Sequence, residues 1–243
     1  MNFNQNFPLV VLAGGLGTRM NFLDKNIPKI LAPINDYKFI DLFFKNIKLL
    51  GFSDIHFLLQ NKSEQIINYI ENNNFYKEFN LRYLIDGETA LGTGGAIIKN
   101  LDSLPDIFWV MYGDTLLNWE VNKSQEKFLK SKKKSLITII HKDKVNETPN
   151  VLLIDNNLCN YSKNETAQNN FVDYGALLFK KNAFKNFQIK KIDLSEIILS
   201  LIENNEIIPF EVDHKFYEIG NKKSFKILLN KLKTINLEQL WNE

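Results

Sequence analysis

The chain has 243 residues, of which 44% are hydrophobic, and its 30 Lys and Arg residues nearly balance its 28 Asp and Glu residues, for a net charge of +2. At roughly 100–200 residues per domain, this length predicts one large domain with a core that needs no crosslinks. The near-neutral charge excludes a broad electrostatic surface for nucleic acid, and the single cysteine, Cys159, excludes an internal disulfide framework and a cysteine-based zinc cluster.

No segment has the composition of a membrane span or of a targeting peptide. The longest apolar runs are shorter than the roughly 18 residues that a transmembrane helix needs. Residues Met1 to Phe7 lack a basic start and a cleavage site. We therefore expect a cytoplasmic protein without a membrane partner.

Predicted strands alternate with predicted helices through the first half of the chain. Leu9 to Ala13 is wholly apolar and ends in glycines, which is typical of a buried parallel strand. The other predicted elements are strands at Ile55 to Leu59, Leu81 to Ile85 and Ile107 to Tyr112, with helices from Phe39 to Leu50, from Ser63 and from about Gly95. This alternation predicts an α/β fold with a doubly wound, mostly parallel sheet.

The second half has a different pattern, with longer strands and shorter turns. Strands are predicted at Ser135 to His141, Val151 to Ile154 and Phe171 to Phe179, and helices at Leu194 to Glu203 and Lys222 to Leu232. No linker rich in Pro, Gly or Ser separates the halves. We therefore predict a single domain, 1–243, with a core over about 1–134 and a smaller, mixed second half over about 135–243 that ends in a closing helix.

A glycine-rich segment follows the first strand directly. It contains Gly14, Gly15 and Gly17, and Arg19 comes two residues after the last glycine. Closely spaced glycines let backbone N–H groups approach an anion, and a guanidinium suits a polyphosphate. The spacing differs from the G-x-G-x-x-G pattern of dinucleotide-binding folds. An ordinary turn between strand and helix is the alternative interpretation.

Two further charged residues have defined positions. Lys29 follows Pro28 and precedes Pro33, and these prolines give the lysine a stiff, extended surrounding. Asp114 ends the strand Ile107 to Tyr112, where a carboxylate lies in the ligand crevice of an open α/β sheet and suits Mg²⁺. A solvated lysine and a turn aspartate are the alternatives. The three histidines have no metal-ligand spacing, and no hydrolase motif occurs.

Together these segments resemble the signature of the sugar-1-phosphate nucleotidyltransferases, also called nucleoside-diphosphate-sugar pyrophosphorylases. The resemblance includes Leu12 to Met20, Pro28-Lys29, Leu91 to Ala96 and Tyr112-Gly113-Asp114, and it runs to about Lys226. Within the family the chain looks most like the D-glycero-α-D-manno-heptose 1-phosphate guanylyltransferases. The resemblance implies a Rossmann-like nucleotidyltransferase fold whose second half forms the sugar side.

The resemblance also implies roles for individual residues. It places Arg19 at the leaving pyrophosphate and Lys29 at the phosphates around the reacting α-phosphorus, as the catalytic residues. It places Mg²⁺ at Asp114 and at Glu218, where the family has an aspartate. The implied nucleotide-binding residues are Leu12, Ala13, Gly14, Gly15, Gly17, Thr18, Glu88, Gly92 and Thr93, with Asp86 and Glu88 as alternative partners for a guanine edge. The implied sugar-phosphate contacts are Lys163, Asp173 and Gly175, and Asp173 stands where the family often has asparagine.

The reaction implied is attack of a sugar 1-phosphate oxygen on the α-phosphorus of a nucleoside triphosphate (NTP), which gives a nucleoside-diphosphate sugar and pyrophosphate. The partners expected are these two substrates and a second copy in a homodimer, with no nucleic acid. Two alternatives stay open at this point. One is a cytidylyl- or uridylyltransferase acting on another phosphorylated acceptor. The other is a regulatory subunit that binds sugar nucleotides without turnover, which is disfavoured because Arg19, Lys29 and Asp114 are all present.

Overall fold

The computed structural model describes residues 6–15, 24, 26–87, 90–162 and 168–241. Its helices are α1 (Phe39–Leu49), α2 (Ser63–Glu71), α3 (Gly92–Lys99), α4 (Val121–Ser131), α5 (Leu194–Glu203) and α6 (Lys222–Lys231). None of the helices in these ranges combines the length and the apolar character needed to cross a membrane.

The strands follow the same chain order. They are β1 (Leu9–Leu12), β2 (Pro33–Ile34), β3 (Tyr37–Lys38), β4 (Asp54–Leu59), β5 (Asn80–Ile85), β6 (Ile107–Tyr112), β7 (Thr115–Leu116), β8 (Ser135–His141), β9 (Val151–Ile154), β10 (Asn157–Tyr161), β11 (Phe171–Lys180), β12 (Ile207–Val212) and β13 (Tyr217–Glu218). Short 3-10 helices add Lys29–Leu31, Asn74–Glu78, Leu101–Ser103, Lys142–Lys144, Lys181–Phe184 and Leu237–Trp241.

One large sheet organises the molecule, with central order β5-β4-β1-β6-β11-β8-β12. β5, β4, β1 and β6 are parallel, β11 is antiparallel to β6 and β8, and β12 is parallel to β8. Six of the seven central strands therefore run in one direction, and the predicted mostly parallel sheet is confirmed. The β9–β10 hairpin extends the sheet from the start of β11, and two-stranded ladders join β2 to β3 and β7 to β13.

Helices cover both faces of the sheet, as the doubly wound prediction requires. The side chains of β1 alternate between two hydrophobic clusters: Leu9 and Val11 face the cluster built on α1, α2, α4 and α6, and Val10 faces the cluster built on α3 and α5. The C-terminal 3-10 helix Leu237–Trp241 packs into the first cluster, so α6 is not the last packed element. Because each face is buried, the strands are apolar on both sides.

The predicted element bounds agree with the structure for β6, β8, β9 and α5 and differ by one or two residues for most others. The predicted start of α3 at about Gly95 is wrong, because the helix begins at Gly92. The helix α4 and the strand β12 were missed. α4 is mostly polar, and β12 contains Pro209, which argues against a strand unless it lies at an edge. β12 pairs only with β8 among the strands described, so it does lie at an edge.

Candidate active site

A cavity of about 350 Å³ opens at the carboxyl ends of β1, β4 and β6. Its position is the crevice where parallel α/β sheets bind ligands, because the chain runs outward from β1 to β4 and β5 and then returns to β6 on the other side of β1. The lining comes from six segments: Leu12 to Gly15, Lys29 and Ile30, Leu58 and Gln60, Asp86 with Ala90 to Thr93 and Ala96, Tyr112 to Asp114, and Gly220.

The start of the glycine-rich segment forms one wall of the cavity. Ala13 N donates to Leu58 O (3.1 Å), so the chain leaves β1 along β4. A Cβ on Gly14 would lie 3.1 Å from the backbone N of Gln60, whereas a Cβ on Gly15 would meet no atom of the described residues within 4 Å. Gly14 therefore serves close packing, and Gly15 is exposed toward open space at the cavity. Gly17, Thr18 and Arg19 lie outside the described residues.

Lys29 and Asp114 form an ion pair at the cavity. Lys29 begins the 3-10 helix Lys29–Leu31, directly after Pro28, and its Nζ donates to Asp114 Oδ2. The other carboxylate oxygen of Asp114 accepts from Thr115 Oγ1 (3.1 Å). Both side chains are largely shielded, with 15% and 27% of their surface exposed. Two residues that are distant in sequence are thus placed together, as expected for groups acting on one ligand.

The ladder between β7 and β13 brings Glu218 to the same place. Glu218 pairs with Thr115 across this ladder, and Ile219 N donates to Asp114 O (3.0 Å). Burial, and then the negative charge of Asp114, raise the pKa of the Glu218 carboxyl, which the Ser224 hydrogen bond and Lys29 partly oppose. Lys29, Asp114 and Glu218 therefore share one electrostatic cluster.

The extra methylene of Glu218, relative to an aspartate, is accommodated by its neighbours. Oε1 accepts from Asn221 Nδ2 (2.9 Å) and Ser224 Oγ (3.0 Å) at the start of α6. A Cβ on Gly220 would lie 2.9 Å from Glu218 Oε2, so the carboxylate folds back over a residue that has no side chain. The beginning of α6 thus fixes the direction of this carboxylate.

The donor chemistry of this cluster fits a magnesium ion. Asp114 and Glu218 are hard oxygen ligands, and Mg²⁺ is typically bound by one or two carboxylates with substrate phosphates and water completing its octahedron. Among the residues that the structure describes, no group of three or more His, Cys, Asp and Glu side chains could hold a metal ion. The described residues therefore do not form a metal site made of protein ligands alone. Asp114 and Glu218 fit a magnesium site whose other ligands would be substrate phosphates and water.

The helix α3 begins at the cavity but is docked on the segment before α5. The carbonyl oxygen of Ile192 accepts from Gly94 N and Gly95 N (both 3.1 Å), and Thr93 Oγ1 accepts from Leu194 N (2.9 Å). Gly92 has φ +73° and a Cβ there would lie 2.6 Å from Ile192 O. These glycines therefore serve packing against Ile192, a role that the motif alone did not indicate. Gly92 and Thr93 still line the cavity.

Asp86 is buried at the end of β5 and lines the cavity. Its Oδ1 accepts from Asn100 Nδ2 (2.7 Å), and its carbonyl oxygen accepts from Lys99 Nζ. Burial raises the pKa of the Asp86 carboxyl, and these two neighbours partly oppose the rise. Of the two residues predicted for a guanine edge, Asp86 is thus at the cavity, and Glu88 lies outside the described residues.

Two of the predicted sugar-side residues, Asp173 and Gly175, lie on β11, the strand that pairs with β6. Asp173 Oδ2 accepts from Tyr161 Oη (2.8 Å), and Asp173 Oδ1 accepts from Gly175 N (2.9 Å). Gly175 has φ +99°, a conformation that favours glycine, at a bulge in β11. Lys163 lies outside the described residues. Tyr161, Asn221 and Ser224 were not predicted, because only the folded chain places their polar groups on Asp173 and Glu218.

A strand-end cavity with glycines on one wall, and with Lys29 and Asp114 in its lining, is typical of α/β proteins that bind nucleotide phosphates. The chain belongs to the Nucleotidyl transferase family, which it matches over residues 9–225. The family predicted from the sequence motifs is confirmed. The roles predicted for individual residues stay predictions.

Several known proteins are similar to this chain in sequence or in fold. D-glycero-alpha-D-manno-heptose 1-phosphate guanylyltransferase of Campylobacter jejuni subsp. jejuni is 35% identical over 114 residues, which cover 47% of this chain and 50% of that protein. The protein of the same name from Aneurinibacillus thermoaerophilus is 31% identical over 124 residues, 51% of this chain and 53% of that protein. The chain thus spans about half the length of the curated relatives it matches. HddC from Yersinia pseudotuberculosis, crystallised in complex with GMP-PN, shares the fold, with a TM-score of 0.77 at 22% identity over 93% of this chain and 99% of that chain.

Proposed function

We propose that this protein transfers GMP from GTP to a sugar 1-phosphate, D-glycero-α-D-manno-heptose 1-phosphate, and releases pyrophosphate, for surface polysaccharide precursors. The observation that carries the proposal is the cavity lined by Gly15, Lys29 and Asp114, with Glu218 next to Asp114. The choice of guanine and heptose in this proposal rests on the similarity to the two heptose 1-phosphate guanylyltransferases and on the GMP-PN in the HddC complex.

The chemistry proposed needs no general base. A sugar phosphate oxygen is already an anion, so the site must align it with the α-phosphorus and stabilise the charge of the departing pyrophosphate. Lys29 can exchange its pairing with Asp114 for a nucleotide phosphate, because its ammonium lies at the cavity wall. Arg19 would bind the leaving pyrophosphate, and Lys163 would bind the incoming sugar phosphate.

Asp114 and Glu218 would hold the Mg²⁺ that the proposal includes. When bound, this ion would neutralise charge on the triphosphate. Both carboxylates keep acceptor capacity beyond their contacts to Thr115, Lys29, Asn221 and Ser224. A cytoplasmic location and a homodimer belong to the same proposal as expectations.

A pyrophosphate-release screen tests the proposal. GTP, ATP, CTP, UTP and dTTP are each combined with a panel of sugar 1-phosphates that includes the heptose, with Mg²⁺ or with a chelator. We expect the highest kcat/KM for GTP with the heptose phosphate and loss of turnover with the chelator. Turnover with CTP or UTP alone would exclude guanylyl transfer. Binding of a guanosine-diphosphate sugar without turnover of any pair would favour the regulatory alternative.

A further inference from the structure

The segments that carry Lys29 and Asp114 pack directly against each other. A Cβ on Gly113, the residue before Asp114, would lie 3.1 Å from Ala13 Cβ and 3.2 Å from Ile30 Cδ1. Ile30, the residue after Lys29, is buried in this contact. The backbones of the lysine and the aspartate are therefore held together, and a change in their pairing must come from the side chains.

The two side chains differ in their freedom to move. Asp114 Oδ1 accepts from Thr115 Oγ1 (3.1 Å), and Ile219 N donates to Asp114 O (3.0 Å), so the carboxylate is held from two sides. The ammonium of Lys29 ends a flexible four-carbon stem, and within the described residues it donates to Asp114 alone. Lys29 lines the cavity together with Gly15. The ammonium can therefore leave the carboxylate for an anion in the cavity, while Asp114 stays in place.

The Lys29 ammonium and a divalent cation bound to Asp114 would interfere with each other. Lys29 occupies Oδ2 of the carboxylate and Thr115 occupies Oδ1, so an ion that takes Asp114 as a ligand meets a positive charge at close range. Both side chains of the pair are largely shielded from water, and like charges repel more strongly where water is excluded. Glu218, opposite Thr115 across the β7–β13 ladder, adds a second negative charge. Departure of the ammonium would thus leave two carboxylates for the ion.

We propose that the Lys29 ammonium competes with a divalent cation for Asp114, and that the phosphates of a bound nucleotide relieve this competition by drawing Lys29 away. Cation binding and nucleotide binding then favour each other, and each tightens the other by the same factor. The inference rests on the proposed function. It adds that the protein's own cation neutralises Asp114 until the nucleotide arrives.

Binding of Mn²⁺ alone measures the competition without nucleotide or turnover. Mn²⁺ takes the oxygen ligands that Mg²⁺ takes, and electron paramagnetic resonance counts the unbound ion. Lys29→Met should bind Mn²⁺ at least about tenfold more tightly than the wild type, since a charge at this distance changes the affinity of a carboxylate for a proton by about ten- to a thousandfold. Lys29→Arg keeps the positive charge and should bind Mn²⁺ as weakly as the wild type.

Two further proteins control this experiment. The double variant Lys29→Met with Asp114→Asn should lose the gain in Mn²⁺ affinity, because the carboxylate that Lys29 blocks is absent. Lys144→Met also removes a lysine from an ion pair, but its partner Asp213 is exposed, so Mn²⁺ affinity should stay at the wild-type value. A gain that is seen with Lys29→Met and lost in the double variant assigns the competition to Asp114.

A second experiment removes the carboxylate instead of the ammonium. With a chelator present, Asp114→Asn should bind GTP more tightly than the wild type in calorimetry, because Lys29 is free to turn to the phosphates. In a Lys29→Met background the same substitution should give a smaller gain.

Three outcomes would overturn the inference or the function beneath it. Equal Mn²⁺ affinity of the wild type and Lys29→Met, or no Mn²⁺ binding to Lys29→Met at millimolar concentration, would overturn the inference. If Lys29→Met does not fold, an unchanged affinity of Asp114→Asn for metal-free GTP overturns it instead. Absence of turnover with every NTP, together with the expected gain in Mn²⁺ affinity, would refute the proposed function alone.

Discussion

A single residue in this protein can contact groups that come from distant parts of the sequence, and Asp114 is the example. Asp114 pairs with Lys29 through one oxygen and accepts from Thr115 through the other, and its backbone oxygen receives Ile219 N. It is thus both part of the β7–β13 connection and the group best placed to bind a cation. Its substitution can separate these roles, since an amide keeps the shape but loses the charge.

We predict that Asp114→Asn lowers Mg²⁺-dependent kcat by about 10²–10³, because removing a charge-stabilising ligand costs on the order of 3–4 kcal/mol. The melting temperature should change little. Steady-state rates and thermal melting of both proteins are the measurements. Asp213→Asn is the control, since Asp213 also pairs with a lysine, Lys144, but at an exposed site. Equal rates for Asp114→Asn and the wild type would show that Asp114 binds no catalytic metal.

Among the secondary-structure elements, α3 shows how a sequence motif can have two functions. Gly92 and Thr93 line the cavity, whereas the N–H groups of Gly94 and Gly95 donate hydrogen bonds to Ile192 O. The N–H groups of Gly94 and Gly95 at the start of α3 are therefore already paired with the Ile192 carbonyl, so they cannot bind an anion. The glycines of α3 thus serve packing, whereas Gly15 after β1 lines the cavity and has open space beside it within the described residues.

Substitutions in the two glycine segments should differ accordingly. Gly92→Ala should destabilise the fold by at least about 1–3 kcal/mol, because alanine is strained at φ +73° and its Cβ would collide with Ile192 O. Gly15→Ala should leave the stability nearly unchanged, since no atom of the described part of the chain lies within 4 Å of its Cβ, and weaken GTP binding instead. Urea unfolding and calorimetry with GTP measure the two effects. A stable Gly92→Ala protein would show that Ile192 does not pack here.

At the scale of the whole molecule, the mostly parallel sheet was predictable and the contact between Glu218 and Asp114 was not. Strands such as β6 are apolar on every residue because helices cover both faces, and that pattern is visible in the sequence. The approach of Glu218 to Asp114 depends on β7 and β13, two-residue strands without a periodic pattern. Likewise the hydrogen bond from Tyr161 to Asp173 joins β10 to β11. Contacts between distant short segments leave little local signal.

One buried histidine should make the global stability depend on pH. His56 in β4 is buried, its Nε2 lies 3.4 Å from Asp54 Oδ1, and neither ring nitrogen makes a hydrogen bond within the part of the chain that is described. Burial lowers the pKa of His56, with Arg82 adding to the effect and Asp54 opposing it. The folded protein therefore binds this proton less readily than the unfolded chain does.

It follows that the contribution of neutral His56 is fully present above the unfolded histidine pKa of about 6.5 and is lost as the pH falls below it, by at most about 1.4 kcal/mol per pH unit. Denaturant unfolding between pH 5 and pH 8 measures this slope. His56→Gln should flatten it, whereas His214→Gln, at an exposed residue, should not. Identical slopes for the wild type and His56→Gln would contradict the prediction.

The ladder between β7 and β13 also has a consequence for protein synthesis. The ribosome makes the cavity walls, from Leu12 to Asp114, long before it makes Glu218 and the start of α6. A nascent chain can therefore assemble the parallel strands β1, β4, β5 and β6 while Asp114 still lacks its neighbouring carboxylate. The cluster of Lys29, Asp114 and Glu218 is completed only when the last part of the chain has emerged and docked, so a chain stalled before Tyr217 would have most of the cavity lining without the second carboxylate.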